Sequence, residues 1–130
     1  MKLALDTNRY TDLCRGDETV SELIEQAEEV CLPLPVLAEL RAGFAYGARR
    51  AANERMLGQF LATDGVRVLC PDEQTTFIYA SVYTGLRKRG TPIPTNDLWI
   101  AALVLQHGLV LLDRDGDFDR IPELPRLRLS

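Results

Sequence analysis

Histidine is nearly absent from this chain of 130 residues: His107 is the only one. Catalysis by a pair of histidines is therefore excluded, and His107, just before Gly108, reads as a cation at the carboxyl end of a helix. Cysteine is sparse as well. Cys14, Cys31 and Cys70 are odd in number and widely spaced, and no CxxC occurs. Neither a disulfide framework nor a zinc knuckle is supported, and the pattern fits a reducing compartment. Lysine occurs only as Lys2 and Lys88, so the late-strand lysine of a phospho-acceptor receiver domain is missing. No apolar run approaches the ~18 residues of a membrane span. The opening MKLALDTN carries an acid at Asp6, unlike a signal peptide. The expectation is a cytoplasmic protein without a membrane partner. GxxxxGK[ST] and GxGxxG are absent, and Ser21, Ser81 and Ser130 lack a GxSxG context. An excess of positive charge is lacking too: 15 Lys plus Arg against 19 Asp plus Glu leave −4. Nucleic acid would have to be met by a local basic surface or through a bound cation.

What is present suits one ordinary globule. Hydrophobic residues make up 46% and charged residues 26%, which excludes disorder. The length fits a single domain over residues 1–130. Short apolar runs at Lys2 to Leu5, Val30 to Leu34, Val66 to Leu69 and Leu109 to Leu112 read as buried strands, with Arg126 to Leu129 as a last edge strand. Helical spacing is found over Asp17 to Glu29, from Pro35 to about Gly47, over Arg50 to Ala62, and from Pro71-Asp72 to Gly90. A further helix, Asp97 to His107, is apolar nearly all round and should be buried, with Thr95 or Asn96 as its cap. Strands alternating with helices predict an α/β fold: a central parallel sheet of four to five short strands flanked by helices on both faces.

Four acids sit in unusual neighbourhoods. Asp6 follows the strand Leu3-Ala4-Leu5, and open α/β sheets bind ligands beyond the carboxyl ends of their strands; the competing reading is a helix cap. Glu39 shares a helix side with Val36, Leu40 and Gly43, where an unpaired carboxylate is costly, unless it reaches the rim. Asp97 opens the most apolar helix, where an acid also suits the dipole. Asp115 lies in the turn after a strand, where aspartate is common. A parallel α/β topology can bring strand ends and a helix start to one rim. Carboxylates gathered there repel each other unless a cation intervenes, and an all-oxygen ligand set favours Mg²⁺, with Mn²⁺ as an alternative. The acidic run Asp113 to Asp117 is not an EF-hand, since its Gly is misplaced and the twelfth position is Leu124. Arg41, Arg49, Arg50 and Arg55, and the run Arg87-Lys88-Arg89, form modest basic clusters. They suit a phosphate backbone if they border the acids and are otherwise solvated helix ends.

Four segments together, LDTN at Leu5 to Asn8, PVLAELRAG at Pro35 to Gly43, TNDLWIAA at Thr95 to Ala102 and LVLLDRDGDFDRIPEL at Leu109 to Leu124, resemble the PIN domain. More specifically, the chain is similar to the VapC-type toxins of toxin–antitoxin pairs. The resemblance implies a Mg²⁺-dependent endoribonuclease acting on structured RNA of the transfer or ribosomal class. Its acids would fall on Asp6, Glu39, Asp97 and Asp115, with Asp6 and Asp97 as main metal ligands. It also implies a homodimer and a VapB-type antitoxin that covers the acidic pocket, with operator DNA met only through the antitoxin. Asp113 stands where many relatives have Thr or Ser, and either Asp113 or Asp117 is an alternative to Asp115. Thr7, Asn8, Thr95, Asn96 and Asp117 are candidates for orienting the acids. Two other functions compete: a catalytically idle PIN fold that only binds a partner, and a DNA-directed nuclease.

Overall fold

The computed structural model describes residues 1–114 and 116–129. Five strands and six α-helices follow in the order β1 (Lys2–Leu5), α1 (Thr7–Cys14), α2 (Glu18–Gln26), β2 (Glu29–Pro33), α3 (Leu34–Tyr46), α4 (Arg50–Leu61), β3 (Val66–Leu69), α5 (Glu73–Arg89), α6 (Thr95–His107), β4 (Val110–Leu112) and β5 (Arg126–Leu127). A short 3₁₀ turn, Gly116–Arg120, lies between β4 and β5. The sheet order is β3-β2-β1-β4-β5 and every pairing is parallel. Ala4 lies opposite Cys31 on one side and Leu111 on the other.

Parallel central strands are covered on both faces, so they read as continuous apolar runs rather than alternating ones. Leu3, Ala4, Leu5, Leu111 and Leu112 are all buried. Chain order runs from β1 outward to β3 and then returns across to β4, which makes the β1/β4 boundary the switch point of the sheet. Right-handed crossovers put α1 to α4 on one face and α5 with α6 on the other. The all-round apolar helix is buried as expected: Leu98, Ile100, Ala101, Ala102, Leu103 and Val104 are each at or below 4% exposure. Each buried Leu of this kind contributes roughly 1.5–3 kcal/mol. The chain exposes 7387 Å², close to the roughly 7,000 Å² that its mass predicts.

Several boundaries differ from the expectations: β2 runs Glu29–Pro33 rather than Val30 to Leu34, β4 begins at Val110 rather than Leu109, and β5 ends at Leu127 rather than Leu129. The helix expected over Asp17 to Glu29 stops at Gln26, and β2 begins at Glu29, where register with Lys2 and Val66 takes over from helical propensity. The last long helix starts at Thr95, with Pro94 rather than Thr95 or Asn96 in the capping position and no side-chain cap bond. After Asp6, where a turn or a helix cap was expected, the chain forms a helix of eight residues, Thr7–Cys14. Its residues are poor helix formers, but Tyr10 is buried and anchors it, Thr11 donates to the Thr7 carbonyl at 3.1 Å, and Arg9 pairs with Asp12 at 3.1 Å. On α5 the expected punctuation holds. Asp72 and Thr75 form a reciprocal capping box, and Gly90 ends the helix at φ 69°, a left-handed conformation that glycine adopts without a side-chain penalty.

Candidate active site

The site is built from chain segments that end at the carboxyl edge of the sheet. Asp6 follows β1 directly, at the switch point where open α/β sheets bind ligands. Its N–H donates to the Leu112 carbonyl at 3.1 Å, tying the end of β1 to the end of β4. Its own carbonyl accepts from the N–H groups of Arg9 and Tyr10 and starts α1. The Asp6 carboxylate, however, does not cap that helix, although it is buried at 4% exposure. The capping explanation of this acid is thereby set aside.

Glu39, half-buried on α3, joins the other two segments. Its Oε2 accepts from the Thr7 hydroxyl at 3.1 Å, and its Oε1 accepts from the Asn96 side-chain amide at 3.2 Å. Thr7 is the neighbour of Asp6, and Asn96 is the neighbour of Asp97. The two bonds therefore bring the segments carrying Asp6, Glu39 and Asp97 to one rim. Asp97 lies in the first turn of α6 and is buried at 7% exposure. The fourth expected acid, Asp115, lies outside the described residues. Among the described residues, no group of three acids, histidines or cysteines is arranged to hold a metal ion.

The remaining candidates take different places. Asn8 and Thr95 are exposed, and Asp117 is half-buried in the 3₁₀ turn, 3.9 Å from Arg120. Asp113 is committed elsewhere. Its side chain is 1% exposed, and both of its oxygens accept from Arg126, at 3.0 Å and 2.8 Å. Asp113 and Asp119 beside it hold the Arg126 guanidinium firmly in its charged form, well above the ordinary arginine value. Arg126 thus takes up the extra negative charge at Asp113, a role that the sequence analysis missed. The available signal was an arginine at the start of the expected last edge strand, downstream of an additional acid that follows a buried strand.

Asp6, Glu39 and Asp97 offer oxygen donors only, the ligand chemistry of a hard divalent cation, although among the described residues the three are not drawn into one cluster. Such an edge, with two buried carboxylates and a third held by hydrogen-bond donors, defines a class of α/β domains with an acidic rim at the carboxyl end of a parallel sheet. The comparisons make the class specific. A PIN-domain family profile matches residues 3–124. The chain is 34% identical over 126 residues to the protein named Ribonuclease VapC1 of Haemophilus influenzae (strain R2866), across 92% of each chain. The fold is similar to VapBC2 from Rickettsia felis, crystallised with a DNA fragment from its promoter, with a TM-score of 0.86, 26% identity and 98% of each chain covered. It is also similar to VapBC-5 from Mycobacterium tuberculosis, a member of the VapBC family of toxin-antitoxin systems. There the TM-score is 0.77 at 26% identity, over 99% of this chain and 100% of that one. The chain belongs to the PIN-domain family, in the line of ribonucleases called VapC.

Proposed function

We propose that this chain is the toxin of a toxin–antitoxin pair and a Mg²⁺-dependent endoribonuclease that cuts structured RNA of the transfer or ribosomal class. The observation that carries the reading is Glu39, whose two oxygens are held by Thr7 and Asn96 beside Asp6 and Asp97. Relatives named as ribonucleases support the substrate class. Asp6 and Asp97 would hold Mg²⁺, or Mn²⁺ in its place, with Asp115 and Glu39 completing the set directly or through water. When bound, the ion makes water more acidic and offsets charge on phosphoryl oxygens. Thr7 and Asn96 fix the Glu39 carboxylate in one orientation. From there Glu39, or Asp115, positions the attacking water and takes its proton. Attack by water on phosphorus leaves a 5′-phosphate and a 3′-hydroxyl.

The partners follow the same reading. A VapB-type antitoxin covers the acidic rim and carries any contact with operator DNA, as the DNA-bound relative suggests. A cavity of about 410 Å³ between α1, α3 and α4 supports a docked polypeptide, with Leu40, Phe44 and Met56 in its wall. Phe77 and Tyr83 are exposed aromatics on α5, which suits a homodimer contact. No described helix is long and apolar enough to cross a membrane.

The test is direct. The chain, purified free of partner, is incubated with total RNA with and without Mg²⁺, and the new ends are mapped. Cleavage that needs Mg²⁺, stops with EDTA and leaves 5′-phosphates is the expected result. A 2′,3′-cyclic phosphate product, or cleavage indifferent to chelator, overturns the mechanism. A partner-free chain that is silent with every RNA and divalent cation leaves the idle-binder reading in its place.

A further inference from the structure

Beyond the end of β4 lies an open cleft of about 200 Å³ walled by Arg9, Arg114, Arg126 and Arg128 with Asp113 and Asp119. In a chain of net charge −4, four of its 15 cations meet there. Their pairing is unequal. Arg9 and Arg114 share Asp12, at 3.1 Å and 3.3 Å. Arg126 and Arg128 share Asp119, each at 2.6 Å, and Arg126 also holds Asp113. Among the described residues, four guanidinium groups thus share three carboxylates.

The four arginines divide into two kinds. Arg9 and Arg126 are fixed and only 12% exposed. Arg9 also donates from Nε to the Asp113 carbonyl at 3.3 Å. Arg114 and Arg128 are exposed arms, at 46% and 73%, each on a carboxylate that another arginine already holds. The exposed Arg128–Asp119 pair is worth little, and Asp12 keeps Arg9 when Arg114 leaves it, so both arms can turn to a new anion. Guanidinium groups bind phosphate oxygens through paired N–H donors.

The cleft also sits beside the acids. Arg9 is three residues after Asp6, and Asp6 is bonded to Leu112, next to Asp113. Its open form suits a passing strand better than an enclosed small molecule.

We propose that this arginine cleft is a substrate subsite that holds a backbone phosphate of RNA alongside the acidic rim. The inference rests on the reading of the chain as an RNA-cleaving enzyme, so its test includes a measurement without turnover. Arg114→Gln, Arg128→Gln and the double variant are made in the full chain, both as they stand and in an Asp97→Asn background. Binding of a labelled RNA to the Asp97→Asn chains is followed over a series of salt concentrations. The double variant should weaken binding roughly tenfold and lower the salt slope by about 0.7–1, the contribution of one phosphate. In the cleaving chains, the loss should fall on KM more than on kcat. Equal affinity and equal slope with and without the two arginines overturn the proposal. Stabilisation by inorganic phosphate that needs both arginines, with RNA affinity unmoved, assigns the cleft to free phosphate and overturns it as well. If the wild-type chain cuts no RNA, the activity reading fails while the binding series still decides the cleft.

Discussion

Arg126 on β5 grips Asp113 at the end of β4 through both carboxylate oxygens, and the carboxylate side chain is 1% exposed. The pair joins the two strands at the edge of the sheet that carries the acidic rim. It also explains how this chain tolerates an additional acid next to carboxylates that already repel.

Breaking one partner leaves a buried charge unmatched, which costs about 3–5 kcal/mol. Arg126→Gln should lower the unfolding free energy by that order in urea titrations. Asp113→Asn with Arg126→Gln should recover a large part of the loss. A single variant as stable as the parent would show that the pair holds nothing.

Asp6 and Asp97 have a different burden. Both are buried, and Asp6 spends no side-chain bond on capping its helix. Asp6→Asn and Asp97→Asn should each lower RNA cleavage by orders of magnitude while the thermal melting temperature stays level or rises. Calorimetric titration with Mn²⁺ should show the weakened ion binding directly.

Glu39 depends on its two donors. Thr7→Val and Asn96→Ala each remove one hydrogen bond to a carboxylate, an interaction of roughly 1.5–3 kcal/mol. Each should lower kcat by about tenfold or more, with little change in RNA affinity. Glu39→Gln should cost roughly 10²–10⁴-fold if Glu39 takes the proton. Steady-state rates for the three variants settle the order.

The acid limb of stability is set by carboxylates other than the acids of the rim. Asp72 is held below its ordinary value of 3.8 by the Gln106 amide and then by the Thr75 N–H. Glu29 is lowered by Arg67, and Asp119 by Arg126. Depressed carboxylates stabilise the fold above their unfolded values and lose that contribution as pH falls through their folded ones. Stability should therefore decline below about pH 4. Asp72→Asn keeps a competent cap but removes one titrating group, so its melting temperature should fall less steeply between pH 4 and pH 2.

Much of the architecture was legible in the order of residues. Apolar runs at Lys2 to Leu5 and Val66 to Leu69 are strands with those bounds, and the long helix closed by Arg87-Lys88-Arg89 stops at Gly90. These features follow from local chemistry: hydrophobic period, capping groups and left-handed glycine. The helix Thr7–Cys14 was not legible, because its stability comes from burying Tyr10 against Phe60, 5.3 Å away between ring centres, and not from its own propensity.

The site divides along the same line. By itself the sequence determined which acids stand at strand ends and helix starts, since an isolated carboxylate next to an apolar run is visible at short range. Only the tertiary structure decided that Thr7 and Asn96 grip the same glutamate, and that Asp113 belongs to Arg126. It alone brought four arginines, placed at 9, 114, 126 and 128, to one cleft. Thr7 and Asn96 lie 32 and 57 positions from Glu39, Asp113 and Arg126 lie 13 apart, and the arginine set spans 119 positions from Arg9 to Arg128. Contacts of that range are fixed by how parallel strands stack and cross over, a cooperative outcome of the whole core that no local pattern encodes.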